Sequence, residues 1–467
     1  MKYLLVILAI FLMAAGCTDN GTTSDTGING DSDTGAYRDS DSDTDSDTDT
    51  DSDTDSDTDS DADSDSDTDT DTDSYTVKDT AGDTDTGSDS DVDTEWYPCN
   101  GDTEGYDAVV SKTGNTWTVT NGAGQETWSG TDMMDAMEKG FDVLSQGRTS
   151  KQSVLVTGDG VMNANARLSI PGYTILNVCG TIHVQGTPGS DMSPFYIRGQ
   201  TEVDIPNARV TGTPAYGMFI RESSNIHLGR IIMDLELESW LGIRVDNKPV
   251  WPDFPPLVKN LTIDYVEVHS SGSHGVETYG VDGILIKEFV GDHTGGCGLI
   301  LNHSTNAEVG SVTCNECAYI ETGYAAFRVA NSNGKIGNDF PAGNIHVGSV
   351  YARGGGRGIF SVSGSGGLTI DNIDLADCGN DTILLQNCYN TTIAANSGNA
   401  SGGRLYLSND TANTDNGTYE TSYNVTFQNL TLTDGAYITE NYCDYKSQGD
   451  RNNRAYNIIG SADMCYP

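Results

Sequence analysis

Positive charge is scarce in this chain. Its 467 residues include 24 Lys and Arg against 69 Asp and Glu, a formal net charge of -45. No basic surface or basic run is available for a nucleic acid, and no Gly-rich loop opens a helix to cradle a phosphate. Nothing offers a foothold to pyridoxal phosphate, haem or flavin. Helical periodicity is almost absent, which leaves strands and turns as the main building material.

Apolar side chains are almost missing from residues 18–95, where "DSDTDSDTDS" recurs. That stretch holds 29 acidic and two basic residues, so a net charge of -27 falls there and the remainder is only moderately acidic. A segment with nothing to bury cannot offset its ordering entropy, and like charges every second residue keep it extended. The loop-shaping glycines of calcium-binding repeats are missing, so a disordered acidic linker is expected rather than a calcium array.

The chain opens with "MKYLLVILAIFLMAAGC": a Lys, an apolar run, small residues and a Cys. The run reads as a signal peptide, too short to span a bilayer as a mature helix. Its ending, "LMAAGC", resembles a bacterial lipobox, with Ala14 where Leu is usual. The resemblance implies lipidation of Cys17 and a cell-surface, outer-membrane or secreted location, with the membrane met only through the anchor. A plain secretory signal is the alternative.

Nine cysteines follow Cys17, in a compartment that permits disulfides. An odd count leaves at least one thiol unpaired. Cys443 and Cys465 flank the C-terminal tail and are the expected staple. Cys314 and Cys317, in "CNEC", have the spacing of a zinc or redox motif. No second Cys-x-x-Cys and no His cluster accompany them, which argues against zinc.

Within residues 96–150, "TDMMDAMEKGFDVLSQG" starts on Thr/Asp, places Met133, Met134, Met137, Phe141, Val143 and Leu144 at helical spacing, and closes on Gly147. A helical N-terminal cap is expected there. From residue 151 to about 440 two short runs alternate. One is "GMFIR", "GIRVD", "GVETY", "GLILN", "AFRVA", "GIFSV", "TILLQ"; the other is "NIHLGRIIM", "NLTIDYVEV", "NAEVGSVTC", "NIHVGSVYA", "LTIDNIDLA", "NTTIAA", "NVTFQNLTL". A period of roughly 23 to 33 residues with two or three strands each is the mark of a stacked solenoid. The pattern resembles the right-handed parallel β-helices of the pectin-lyase-like superfamily. An all-β solenoid over 151–440 is expected, with residues 441–467 as a C-terminal cap.

In the first run the second and fourth positions are apolar (Met218 and Ile220, Ile243 and Val245, Leu299 and Leu301, Phe327 and Val329), with Thr278 the exception beside Val276. Alternation then turns the third and fifth positions outward. Up the stack these are Phe219, Arg244, Glu277, Ile300, Arg328, Phe360 and Leu384, and Arg221, Asp246, Tyr279, Asn302, Ala330, Val362 and Gln386. His274, Tyr324 and Arg357 sit at the corners beside them. The insertion "NKPVWPDFPPLVK" leaves after Asp246, where it could wall a groove. Glycines 354–356 suit a close backbone approach to a ligand or to the next coil. An extended acidic polysaccharide fits such a face. The plainer alternative is a solvated surface carrying weak ion pairs.

Three functions remain open on these residues. A polysaccharide lyase needs a cation to hold the uronate carboxylate, a base for the α-proton and an acid for the leaving oxygen. Arg244 and Arg328 suit the first task and His274 or Tyr279 the others. Glu277 would orient an arginine or, with Asp246, help bind calcium, the one cofactor to test. Arg221, Asn302, Tyr324, Arg357 and Asp246 would bind substrate. A hydrolase is suggested by "SHG" at 273–275, which resembles the polygalacturonase histidine motif. No Asp-Asp pair precedes it, the Asn-Thr-Asp at 413–415 lies downstream, and "ILIKE" lacks the Arg of the family's Arg-Ile-Lys. The third is a non-catalytic adhesin or glycan-binding module. The expectation is elimination on an extracellular acidic polysaccharide by a monomer.

Overall fold

A computed structural model describes residues 99–247, 258–409, 412–414, 417–441 and 451–465. Cys17, the acidic stretch, residues 248–257 of the insertion and Cys443 lie outside the described residues. The described chain winds as a right-handed parallel β-helix.

One wall is an eleven-stranded sheet of short strands in sequential order, from Tyr196–Arg198 through Tyr216–Arg221, Leu241–Asp246, Val276–Tyr279, Leu299–Asn302, Ala325–Ala330, Arg357–Ser361, Asp381–Gln386, Arg404–Ser408 and Tyr437–Glu440 to Ser461–Asp463. Every neighbouring pair is parallel, and the register aligns Phe219, Arg244, Glu277, Ile300, Arg328, Phe360 and Leu384 in one row. The alternate positions Met218, Ile220, Ile243, Val245, Val276, Leu299, Leu301, Phe327 and Val329 are buried in the main core. Thr278, the one polar residue among them, is also buried, and its hydroxyl meets that of Ser304 at 3.3 Å. A buried hydroxyl needs such a partner.

The second recurrent run forms longer strands such as Ser224–Leu235, Val258–His269, Val281–Asp292 and Thr305–Asn315. Their buried positions break phase: Ile226 and Leu228, then Ile231 and Met233, aligned with Leu261, Ile263, Val266 and Val268 on the next coil. A strict two-residue alternation would put Ile231 outside, so the strand turns a corner near Gly229 and lines two walls. A Cβ on Gly229 would meet the Pro206 carbonyl oxygen at 2.3 Å, which is why glycine stands there. At the start of these strands Asn225, Asn260 and Asn306 take positive φ, a conformation asparagine tolerates. Asn260 donates to Asn225 Oδ1 at 2.8 Å, and Asn344 to Asn306 Oδ1 at 3.0 Å, tying neighbouring coils along this corner.

The helix is Met133–Val143, capped by Asp132, whose side chain accepts the Asp135 N–H at 2.9 Å. It buries Met133, Ala136, Met137, Gly140 and Phe141 against the first strands, Ala108–Thr113 and Thr116–Asn121. The strand Ala108–Thr113 in turn pairs parallel with Gln152–Thr157, so the helix lies over the N-terminal end of the stack.

Two disulfides close among the described residues. Cys99 pairs with Cys179, and Cys314 with Cys317, so the Cys-x-x-Cys motif is a disulfide. Cys297, Cys378 and Cys388 are free. Cys465 is disulfide-bonded. The close packing of coils also accounts for the 354–356 glycines: a Cβ on Gly355 would meet the Cys317 carbonyl oxygen at 2.0 Å, and one on Gly356 the Tyr324 oxygen at 2.6 Å.

Candidate functional site

The outward row is outward in register yet largely covered, which corrects the expectation of an open groove lined by all of it. Glu277, Tyr279, Asn302 and Arg328 are buried, and so are Phe219, Ile300, Phe360 and Leu384. Ala325, Ala330, Phe360, Val362 and Leu384, with Tyr406 against them, form a second apolar cluster separate from the main core. The row is therefore no solvated surface either.

Two polar groups stand on it. In the first, Arg244 bonds the Glu277 carboxylate through Nη1 and reaches Asp246 Oδ1 through Nη2 at 3.1 Å. Glu277 is 4 % exposed and accepts a second bond, from Asn302 Nδ2 at 2.9 Å. Asn302 in turn accepts from Asn331 Nδ2 at 3.0 Å. Arg244 thus occupies the place between Asp246 and Glu277 that a calcium ion, or a catalytic water between two free carboxylates, would need. Both carboxylates are committed to positioning an arginine.

The second group gathers His274, Cys297, Tyr324, Arg328, Arg357 and Phe360. Arg328 is 7 % exposed. Its guanidinium carbon stands 4.7 Å from the Tyr324 ring centre and 4.9 Å from that of Phe360, and the guanidinium carbon of Arg357 lies 4.8 Å from the same Phe360 ring centre. Among the described residues no carboxylate pairs with Arg328, and its Nε has no hydrogen-bond partner. A buried, unpaired guanidinium is costly, and aromatic faces offset only part of that cost. Burial pushes the Cys297 thiol up to about 11, against the pull of the adjacent Arg328, so this neighbour is neutral.

His274 packs edge-on to Tyr324, centroids 5.1 Å apart. Its Nδ1 accepts the Cys297 backbone N–H at 2.8 Å, which places the proton of the neutral ring on Nε2. Of the base and acid roles expected of His274 or Tyr279, this tautomer of His274 suits the acid. Tyr279 is buried on the first group's side, where its carbonyl accepts from Asn247 Nδ2 at 3.0 Å. Arg221 stands apart from both groups, 3.8 Å from the Glu222 carboxylate.

Some neighbours were not foreseen. Tyr216 meets Trp240 edge-on at 5.8 Å and Phe219 at 5.3 Å, and burial raises its hydroxyl pKa while Arg244 acts to lower it. Tyr216 opens its strand and Trp240 stands just before the next, where alternation carries little information; only their aromatic identity could have marked them.

No protein-family model matches this chain, and no curated protein does. Two solved structures are similar in outline, both A-modules of Azotobacter vinelandii mannuronan C-5 epimerases. The module of AlgE4 is 13% identical over 67% of this chain and 87% of its own, with a TM-score of 0.36. The module of AlgE6 is 12% identical over 72% and 96%, with a TM-score of 0.26. Likeness at this level assigns no role to any residue of the site.

Proposed function

We propose that this protein cleaves an acidic, uronic-acid-containing polysaccharide by β-elimination, with Arg328 holding the carboxylate of the reacting sugar. The observation that carries this reading is the buried arginine between two aromatic rings with no carboxylate of its own. A substrate carboxylate supplies the missing partner, and the guanidinium then stabilises charge that develops as the neighbouring C5 proton leaves. Tyr324, between Arg328 and His274, is the group within reach for proton traffic. Once its own proton has passed to solvent under the influence of the Arg328 guanidinium, the phenolate takes the C5 proton, the electron pair forms the C4–C5 double bond, the C4–O4 bond breaks, and the phenol returns the proton to O4. His274 donates from Nε2 to the developing charge. Arg244, fixed by Glu277 and Asp246, holds a carboxylate on the neighbouring sugar.

The test incubates the full chain with pectate, alginate, ulvan and glycosaminoglycans. The expected product absorbs in the ultraviolet as an unsaturated uronate, and new reducing ends appear with it. Arg328→Ala should lower kcat/KM by about 10²–10³-fold, the loss seen when a charge-stabilising donor is removed. Reducing ends without absorbance would replace elimination by hydrolysis. Exchange of the C5 hydrogen with solvent deuterium without cleavage would stop the chemistry at proton transfer. Retention of polymer with none of these signals would make the site a binding module.

The same proposal takes Cys17 as lipidated and residues 18–95 as a tether that holds the module away from a bacterial surface. Labelled fatty acid should enter the protein and be lost in Cys17→Ser. Retained labelling in that variant would remove the anchor.

A further inference from the structure

Arginine–aromatic pairs recur on the short-strand wall beyond the two polar groups. Toward the N-terminal end, Tyr196 and Phe219 stack at 5.1 Å, and Arg167 lies 4.6 Å over Tyr196. Trp240 stands beside Tyr216 and is 36 % exposed. Toward the C-terminal end, Arg404 lies 4.0 Å over Tyr406, its Nε fixed by Asp381 at 2.6 Å. Tyr437, in register with Arg404 on the next coil, is 41 % exposed.

These features lie on both sides of Arg328. Its row runs through Ile300 and Glu277 to Arg244, on the strand that Trp240 precedes, and through Phe360 and Leu384 to Tyr406. Each direction is three strand spacings, about 14 Å at the usual distance between neighbouring strands. We infer that a single acidic polysaccharide chain lies along this wall with Arg328 at its middle, held at one end by Trp240 and Tyr216 and at the other by Arg404, Tyr406 and Tyr437. The protein then attacks bonds inside the chain and not at its ends.

The chemistry of the two end stations suits that occupant. An acidic sugar offers a C–H face to an exposed ring and a carboxylate to an arginine, and both stations supply a ring. Arg404 remains bonded to Asp381 and so contributes a second, weaker hold than the unpaired Arg328. A short oligosaccharide would fill the middle and reach neither Trp240 nor Tyr437. The inference rests on the reading of Arg328 as the carboxylate-holding residue.

The experiment uses the full chain, Trp240→Ala and Tyr437→Ala, with size-graded oligomers of whichever of pectate, alginate, ulvan or glycosaminoglycan the protein acts on or retains. Intact polymer should fall rapidly in mean length before small products accumulate. Each variant should raise KM for long oligomers by about three- to tenfold, the weight of one lost aromatic contact, with kcat and all constants for short oligomers unchanged. If the polymer is bound without turnover, the same shift is read in Kd. Small products from the first turnovers, a length effect in one variant only, or equal effects on short and long oligomers would overturn the two-ended hold. Turnover or binding that ignores chain length defeats this inference and leaves Arg328 untouched. Failure of the unmodified protein to act on or retain any of these polymers defeats both.

Discussion

Glu277 shows how much a single side chain can decide. With Arg244 and Asn302 both bonded to it and almost no water in reach, its removal takes one of two carboxylates from Arg244 and the acceptor from the Asn302 amide. Glu277→Ala should lower the unfolding free energy by about 1–3 kcal/mol, read by denaturant titration. Its outward register was legible, because alternation from Val276 and Thr278 fixes the side of the sheet. Its burial was not, since the partners Asn302 and Asn331 come from later coils and no local pattern announces them. The same holds for His274, whose protonated nitrogen is set by the Cys297 amide.

Among the elements, the long strands carry a second polar system on their outer side. His269 contacts Glu267 at 2.8 Å and Asp292 at 3.4 Å, and His346 contacts Glu308 at 2.7 Å and Asp371 at 3.0 Å. Burial alone would lower both histidines, but the carboxylate bonds outweigh it and hold them above the ordinary 6.5. A raised folded-state value gives stability that is fully present below 6.5 and lost as pH rises through the folded value. Thermal stability should therefore fall as pH climbs above about 6.5, and His269→Asn with His346→Asn should flatten that slope. A slope unchanged in the double variant would assign it elsewhere. The two-wall strands themselves were readable in principle: Ile226, Leu228, Ile231 and Met233 carry the phase break, but a search for simple alternation passes over it.

For the whole molecule, the repeat period announced a solenoid, and every coil rests mainly on its neighbours. The Cys99–Cys179 disulfide, which spacing could not reveal, closes 80 residues around the N-terminal strands and the helix. Cys99→Ser should cost about 4 kcal/mol through the loop entropy regained by the unfolded chain. Because coils interact in sequence, that loss should loosen the N-terminal end first, with hydrogen exchange rising in Ala108–Val178 before the strands near Arg328 respond. Uniform loss of protection along the stack would mean the coils unfold as one.

The corner at Gly229 has a consequence for how such a chain can change. Each turn of the winding repeats the same bend and offers the next turn an equivalent seat, so a whole turn can be duplicated or deleted without redesigning its neighbours. The gene for such a protein can lengthen or shorten its short-strand wall in units of one turn. The span of that wall becomes a property set by copy number, and the residues of any one turn need not alter when it changes.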